Sequence, residues 1–195
     1  MKGDQLHLLM KINDTSLEVV RGSVVTQTVA AIVNAANTAM RGGGGIDGAI
    51  HMVAGPNLLD DLRRVAPRGA ETAEVIATPA FLLPQHWIFH VAGPIYHRYA
   101  PEEAARLLAL SYRNCLAEAD ARGLESLAFP SLSTGAYGYP IEEAAPLALE
   151  TACKYLQRTP DTSLKRIVFA MFGASEFAVF GRELGHLQAR LEESR

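Results

Sequence analysis

Two rhythms of apolar and polar positions alternate along the chain. Short apolar runs rich in Val, Ile and Phe predict strands. They are QLHLLMKI (5–12), TSLEVVRGSV (15–24), AAIVNAA (30–36), AEVIATPAF (73–81), HWIFHVAG (86–93), SLAFPSL (126–132) and KRIVFAMF (165–172). The turn-prone NDT joins the first two. Between the later runs lie segments with the period of an amphipathic helix. DGAIHMVAGPNLLDDLRRVA (47–66) is one, with a break or kink at Gly55-Pro56. Residues 102–121 are another, with apolar Ala104, Leu107, Leu108, Cys115, Leu116 and Ala119. IEEAAPLALETACKYLQ (141–157) and SEFAVFGRELGHLQARLEE (175–193) complete the set. From residue 30 onward strands and helices broadly alternate. That predicts an α/β fold, a mostly parallel buried sheet covered by helices on both faces.

In such sheets ligands sit outside the carboxyl ends of the strands, so the loops that follow strands carry the interest. Four of them contain glycine: NTAMRGGGGID, AGPIYHR, STGAYGYP and GASE. Glycine lets the backbone approach a ligand with no side chain in the way. A loop that opens a helix also presents unpaired N–H groups at the positive end of the helix dipole. Glycines at strand ends can equally be there to make turns. Two glycine-dense loops at corresponding strand ends favour a diphosphate cradle over that reading. No G-x-x-x-x-G-K-[ST] motif is present, and GGGG is not the G-x-G-x-x-G of a dinucleotide fold. Recognition without a lysine clamp points to backbone binding of a ligand such as ADP-ribose.

Composition narrows the classes further. The 195 residues fit one domain, 1–195, with 49% apolar and 20% charged residues. A formal charge of −3 argues against broad attraction to nucleic acid or an anionic membrane, and no basic stripe with interleaved aromatics supports RNA binding. No leader opens the chain and no run of about 18 apolar residues could span a bilayer, so a cytoplasmic protein is expected. Cys115 and Cys153 are read as buried thiols. The six histidines show no metal-type spacing, so neither a metal nor a cofactor is expected.

IVNAAN, GGGGIDGAIHMVAG, HVAGPIY and FPSLSTGAYGYP, in this order, resemble the macrodomain family over about residues 17–190. The resemblance is to its MacroD-type branch of ADP-ribosyl hydrolases and O-acetyl-ADP-ribose deacetylases. It implies a three-layer α/β/α fold with a mixed, mostly parallel sheet. It also implies ADP-ribose or O-acetyl-ADP-ribose as ligand, and proteins mono-ADP-ribosylated on Asp or Glu as partners. Asn37 would bond the distal ribose and orient the scissile bond, and Asp47 matches the acidic residue implicated in catalysis. Gly42, Gly43, Gly44, Gly45 and Ile46 would wrap the distal ribose and its phosphate. Ser133, Thr134, Gly135, Ala136, Tyr137 and Gly138 would close over the diphosphate. Ser23 and Val24 would meet the base, and Phe172 matches an aromatic that packs on adenine.

Each role has a plainer rival. Asp47 could be an N-cap on its helix, worth roughly 1 kcal/mol. Within the family, activation of water is assigned either to this aspartate or to the substrate's phosphate, and both stay open here. Phe172 could be the last core residue of its strand. Tyr137, an aromatic between glycines, is awkward as core. Asn34 is read as a structural residue of the loop, and His51, one turn after Asp47, as a satisfied helix-face histidine.

Two positions depart from the family pattern. Ser23 stands where an aspartate usually accepts a bond from the adenine amino group. A charge-assisted bond is worth roughly 1.5–3 kcal/mol, so weaker binding and relaxed base discrimination are expected. Ala73 stands where a glycine is usual, read as a local turn change. The leading reading is an ester hydrolase acting on ADP-ribosyl substrates, and the alternative is a reader that binds ADP-ribose without cleaving it.

Overall fold

The computed structural model describes residues 7–193, so Gln5 and Leu6 of the first predicted strand lie outside the described residues. The strands are β1 (His7–Ile12), β2 (Thr15–Arg21), β3 (Ala31–Ala35), β4 (Val75–Pro79), β5 (Trp87–Val91), β6 (Ser126–Phe129) and β7 (Arg166–Met171). They form one seven-stranded sheet in the order β1-β2-β7-β6-β3-β5-β4. The helices are α1 (Gly45–Ala54), α2 (Asn57–Val65), α3 (Pro101–Ala121), α4 (Ile141–Arg158) and α5 (Ala174–Glu193). No helix among the described residues is long and apolar enough to cross a membrane.

β2, β7, β6, β3 and β5 run parallel, and only the edge strands β1 and β4 are antiparallel to their neighbours. The two N-terminal strands therefore extend the sheet. The link from β4 to β5 is too short for a crossover, which requires the antiparallel pairing. Alternation sorts each strand between two cores. Ile32 and Ile88 pack with Ile50, Leu58 and Leu62 of α1 and α2. Val33, Phe89 and Phe169 pack on the other face with Tyr112, Leu149 and Phe180 of α3, α4 and α5. The result is a three-layer α/β/α sandwich with a mixed, mostly parallel sheet.

Two local details bear on the site. β2 ends at Arg21, earlier than the apolar run predicts, because Ser23 caps a 3-10 turn over Val24–Thr26, its Oγ accepting from the Val25 amide at 3.4 Å. Ala73 is buried with φ of +69°, a left-handed conformation that costs an L-residue roughly 1–2 kcal/mol and glycine almost nothing. Its backbone is pinned there by Ala92, which accepts from its N–H at 2.9 Å, and by Asn114, which donates to its carbonyl at 2.8 Å.

Candidate functional site

A cleft of about 660 Å³ opens at the carboxyl ends of the central strands. The glycine-rich loop after β3 forms one side and residues 130–137 after β6 the other, as expected of two neighbouring strands. Of the predicted residues, Ser23, Val24, Asn37, Gly43, Gly44, Gly45, Ile46, Asp47, Ser133, Thr134, Gly135, Ala136, Tyr137 and Phe172 line it. Gly42 and Gly138 do not. The Gly42 carbonyl turns back to accept from Asn37 Nδ2 at 3.0 Å, and Gly138 closes a turn with its N–H on the Gly135 carbonyl, 2.9 Å away, where a β-carbon would lie 2.8 Å from the His97 ring. Phe172 is 81% exposed, so it is not the last core residue of its strand.

Asp47 lies in the first turn of α1, but the helix is capped by Gly44 without any side-chain bond. The plainer N-cap role does not describe it. Its carboxylate, 4% exposed, instead accepts at Oδ1 from Asn34 Nδ2 at 2.7 Å. The same amide nitrogen lies 3.0 Å from His90 Nδ1. A flipped Asn34 would press its carbonyl on the carboxylate, so the amide must donate both hydrogens, one to Asp47 and one to His90. His90 then accepts at Nδ1, carries its hydrogen on Nε2 and donates it to Thr78 Oγ1 at 2.9 Å. Asn34, His90 and Thr78 are completely buried. Burial pushes His90 down from 6.5 to about 3, with the Asp47 charge pulling it up and His51 pushing it further down. The imidazole is neutral, as its acceptor role requires.

Sequence reasoning missed His90 and Thr78 and gave Asn34 only a loop role. The available signal was a polar residue inside each of three apolar strands. Strand register decides that they meet, since Asn34 pairs with His90 across β3 and β5, and Ile76, two residues from Thr78, pairs with it across β4. His51 also differs from expectation. Its Nε2 is 3.4 Å from Asp47 Oδ1 without hydrogen-bond geometry, and it is buried with no partner.

The loop passes close to the site side chains: a β-carbon at Gly43 would lie 3.1 Å from Asp47 Oδ2 and 3.4 Å from Asn37 Nδ2. One at Gly48 would lie 2.8 Å from the Gly43 carbonyl oxygen, so the helix can approach the loop only through glycine. The opposite loop is held from below by Tyr112, whose hydroxyl accepts from the Leu132 amide at 3.0 Å. It is held from the side by the Tyr96 amide, which donates to the Tyr137 carbonyl at 3.0 Å.

Among the described residues no Lys or Arg lines the cleft; its charged side chains are Asp47 and Glu176, both acidic. An anion there must be held by backbone N–H groups and helix N-termini. Glu176, which sequence reasoning also missed, shares the lining with Ser23 and Phe172, and its Oε2 accepts from the Gly173 amide at 3.0 Å. Buried polar atoms without a protein partner among the described residues include Asn34 Oδ1, Asn37 Oδ1, His51 Nε2 and Ser133 Oγ. Unpaired polar atoms are costly to bury, and those of Asn37 and Ser133, which line the cleft, are open to a polar ligand.

Comparison with known proteins agrees with this geometry. The Macro domain family model matches residues 33–148. An O-acetyl-ADP-ribose deacetylase of Salmonella newport is 39% identical over 177 residues, 90% of this chain and 93% of that protein. A Macro domain-containing protein of Ralstonia nicotianae is 44% identical over 171 residues, covering 88% and 95% of the two chains. Among solved structures, the Oceanobacillus iheyensis macrodomain with ADP superposes with a TM-score of 0.90 at 38% identity, covering 96% of this chain and all of that one. The Trypanosoma brucei macrodomain in complex with ADP-ribose gives 0.78 at 37% identity, over 85% of this chain and 68% of that one. Sequence, fold and cleft together establish that the chain belongs to the Macro domain family.

Proposed function

We propose that the cleft binds ADP-ribose and that the protein hydrolyses esters on its distal ribose, O-acetyl-ADP-ribose and mono-ADP-ribosyl esters of Asp or Glu side chains among them. The observation that carries this reading is the buried Asp47 carboxylate, oriented by Asn34 instead of capping its helix. The base meets Phe172, Ser23 and Val24. The diphosphate lies between loop 43–46 and loop 133–137, and the distal ribose reaches Asn37 and Asp47.

With Oδ1 occupied by Asn34, Oδ2 faces the Gly43 and Asn37 wall and can align a water on the ester carbonyl. Water oxygen attacks the acyl carbon, and its proton passes to Asp47 or to the neighbouring substrate phosphate. Collapse of the tetrahedral intermediate breaks the bond from acyl carbon to ribose oxygen, and the ribose oxygen takes up a proton. ADP-ribose and a carboxylic acid leave. Asn37 and Ser133, with polar atoms otherwise unpaired, hold the ribose hydroxyls during this step.

Chromatography of O-acetyl-ADP-ribose incubated with the protein and with Asp47→Ala tests the reading. Release of ADP-ribose that disappears in the variant supports it. Absence of release, together with ADP-ribose binding measured by calorimetry, replaces it with the reader.

A further inference from the structure

The cleft does not end at the ribose site. Beyond Gly93 and Tyr137, which both cavities share, lies a second cavity of about 110 Å³ lined by Thr38, Thr72, Ile95, Arg98 and Tyr99. Thr38 follows Asn37 in the chain, and Thr72 bridges to Ala92, next to Gly93. The cavity therefore lies beside Asn37, past the Gly93 edge of the cleft. Tyr137 stands between the two. Burial pushes its phenol up, the Arg98 charge pulls it down and the Asp47 charge pushes it up.

The chemistry of the two cavities is opposite. Among the described residues the main cleft carries acidic side chains and no cation, whereas the small cavity carries a guanidinium, the hydroxyls of Thr38, Thr72 and Tyr99, and no carboxylate. The Arg98 side chain makes no hydrogen bond or ion pair with the described residues, while Thr72 Oγ1 and Tyr99 OH lie 3.4 Å apart. At about 30 Å³ for each water-sized group, the volume suits a chain of about four heavy atoms. An acetyl group is too short to use it.

We propose that this second cavity is the subsite for the acyl group of the ester, and that it takes acyl groups ending in a carboxylate, held by the Arg98 guanidinium. This rests on the ester-hydrolase reading. An ester at the distal ribose projects its acyl chain away from the diphosphate, and the Arg98 cavity opens from the main cleft past Gly93 and Tyr137 to receive it. A guanidinium presents two parallel N–H groups to a carboxylate, a match that neither a methyl group nor a primary amide provides. Hydrolysis then gives ADP-ribose and a dicarboxylate, and the newly formed carboxylate beside Asp47 is repelled towards solvent.

The test compares O-succinyl-ADP-ribose with its O-succinamyl analogue, equal in size and lacking the terminal charge. The wild-type protein should turn over the succinyl ester with a kcat/KM about five- to thirtyfold higher, a gap that narrows as salt is raised. In Arg98→Gln the gap should collapse to within about twofold, and in Arg98→Lys part of it should remain. Turnover of the O-acetyl ester reports on the hydrolase reading separately. If no ester is cleaved, calorimetry with the corresponding non-cleavable amide analogues reads the same charge preference as a ratio of Kd values. Equal handling of charged and neutral chains by the wild type overturns the proposal, as does a preference that survives in Arg98→Gln.

Discussion

Replacing Asn34 with leucine, close to it in volume, asks whether the buried polar chain positions Asp47. The substitution removes two donated hydrogen bonds, one to the Asp47 carboxylate at 2.7 Å and one to His90 Nδ1 at 3.0 Å. The first is charge-assisted and worth about 1.5–3 kcal/mol, the second about 1 kcal/mol. Both acceptors stay behind in a site only 4% and 0% exposed, so water replaces little of what is lost. The expected destabilisation is about 2–4 kcal/mol, or a Tm lower by about 5–15 °C for a chain of this size. Asn34 does not line the cleft, so calorimetric affinity for ADP-ribose should change by less than about threefold. Released from its orienting bond, Asp47 no longer holds a water in line, and kcat on O-acetyl-ADP-ribose should fall about a hundredfold. The three readouts separate positioning from folding. A folded variant that keeps kcat within about threefold, or loses binding in step with turnover, would falsify the positioning role.

Other expectations follow from single residues. His90 refuses a proton that the unfolded chain accepts below pH 6.5, until the folded value of about 3 is reached, so its share of stability is whole above 6.5 and lost on acidification. The loss between pH 7.5 and pH 5 is about 2 kcal/mol, readable as a lower denaturation midpoint, and a pH-independent midpoint in this range would contradict the neutral assignment. Phe172→Ala, at an 81% exposed position, should weaken ADP-ribose binding by about 1–2 kcal/mol through lost stacking and leave Tm unchanged. Glu176→Gln keeps an acceptor for the Gly173 amide and removes only the charge. If Glu176 supplies the charged acceptor that Ser23 cannot, calorimetry should show ADP-ribose binding reduced about three- to tenfold and IDP-ribose binding little changed.

The order of strands and helices, the break at Gly55-Pro56 and the two facing loops were legible in the sequence because local periodicity and glycine placement encode them. Asn37, Asp47 and the residues from Ser133 to Tyr137 were legible as a set through motif resemblance, and the cleft brings them together. Other features depend on neighbours far apart in the chain. The antiparallel edges are decided by which strand lies beside which. Asn34, His90 and Thr78 are three isolated polar residues until register places them on one face, where burial compels them to satisfy one another. Glu176 and Arg98 are ordinary charges in the sequence, and only folding sets one against Ser23 and Phe172 and the other behind Tyr137. Local sequence determines what each segment is, because propensity and pattern act over a few residues. Tertiary structure alone decides which side chains share a low-dielectric space, and the chemistry of the site is written there.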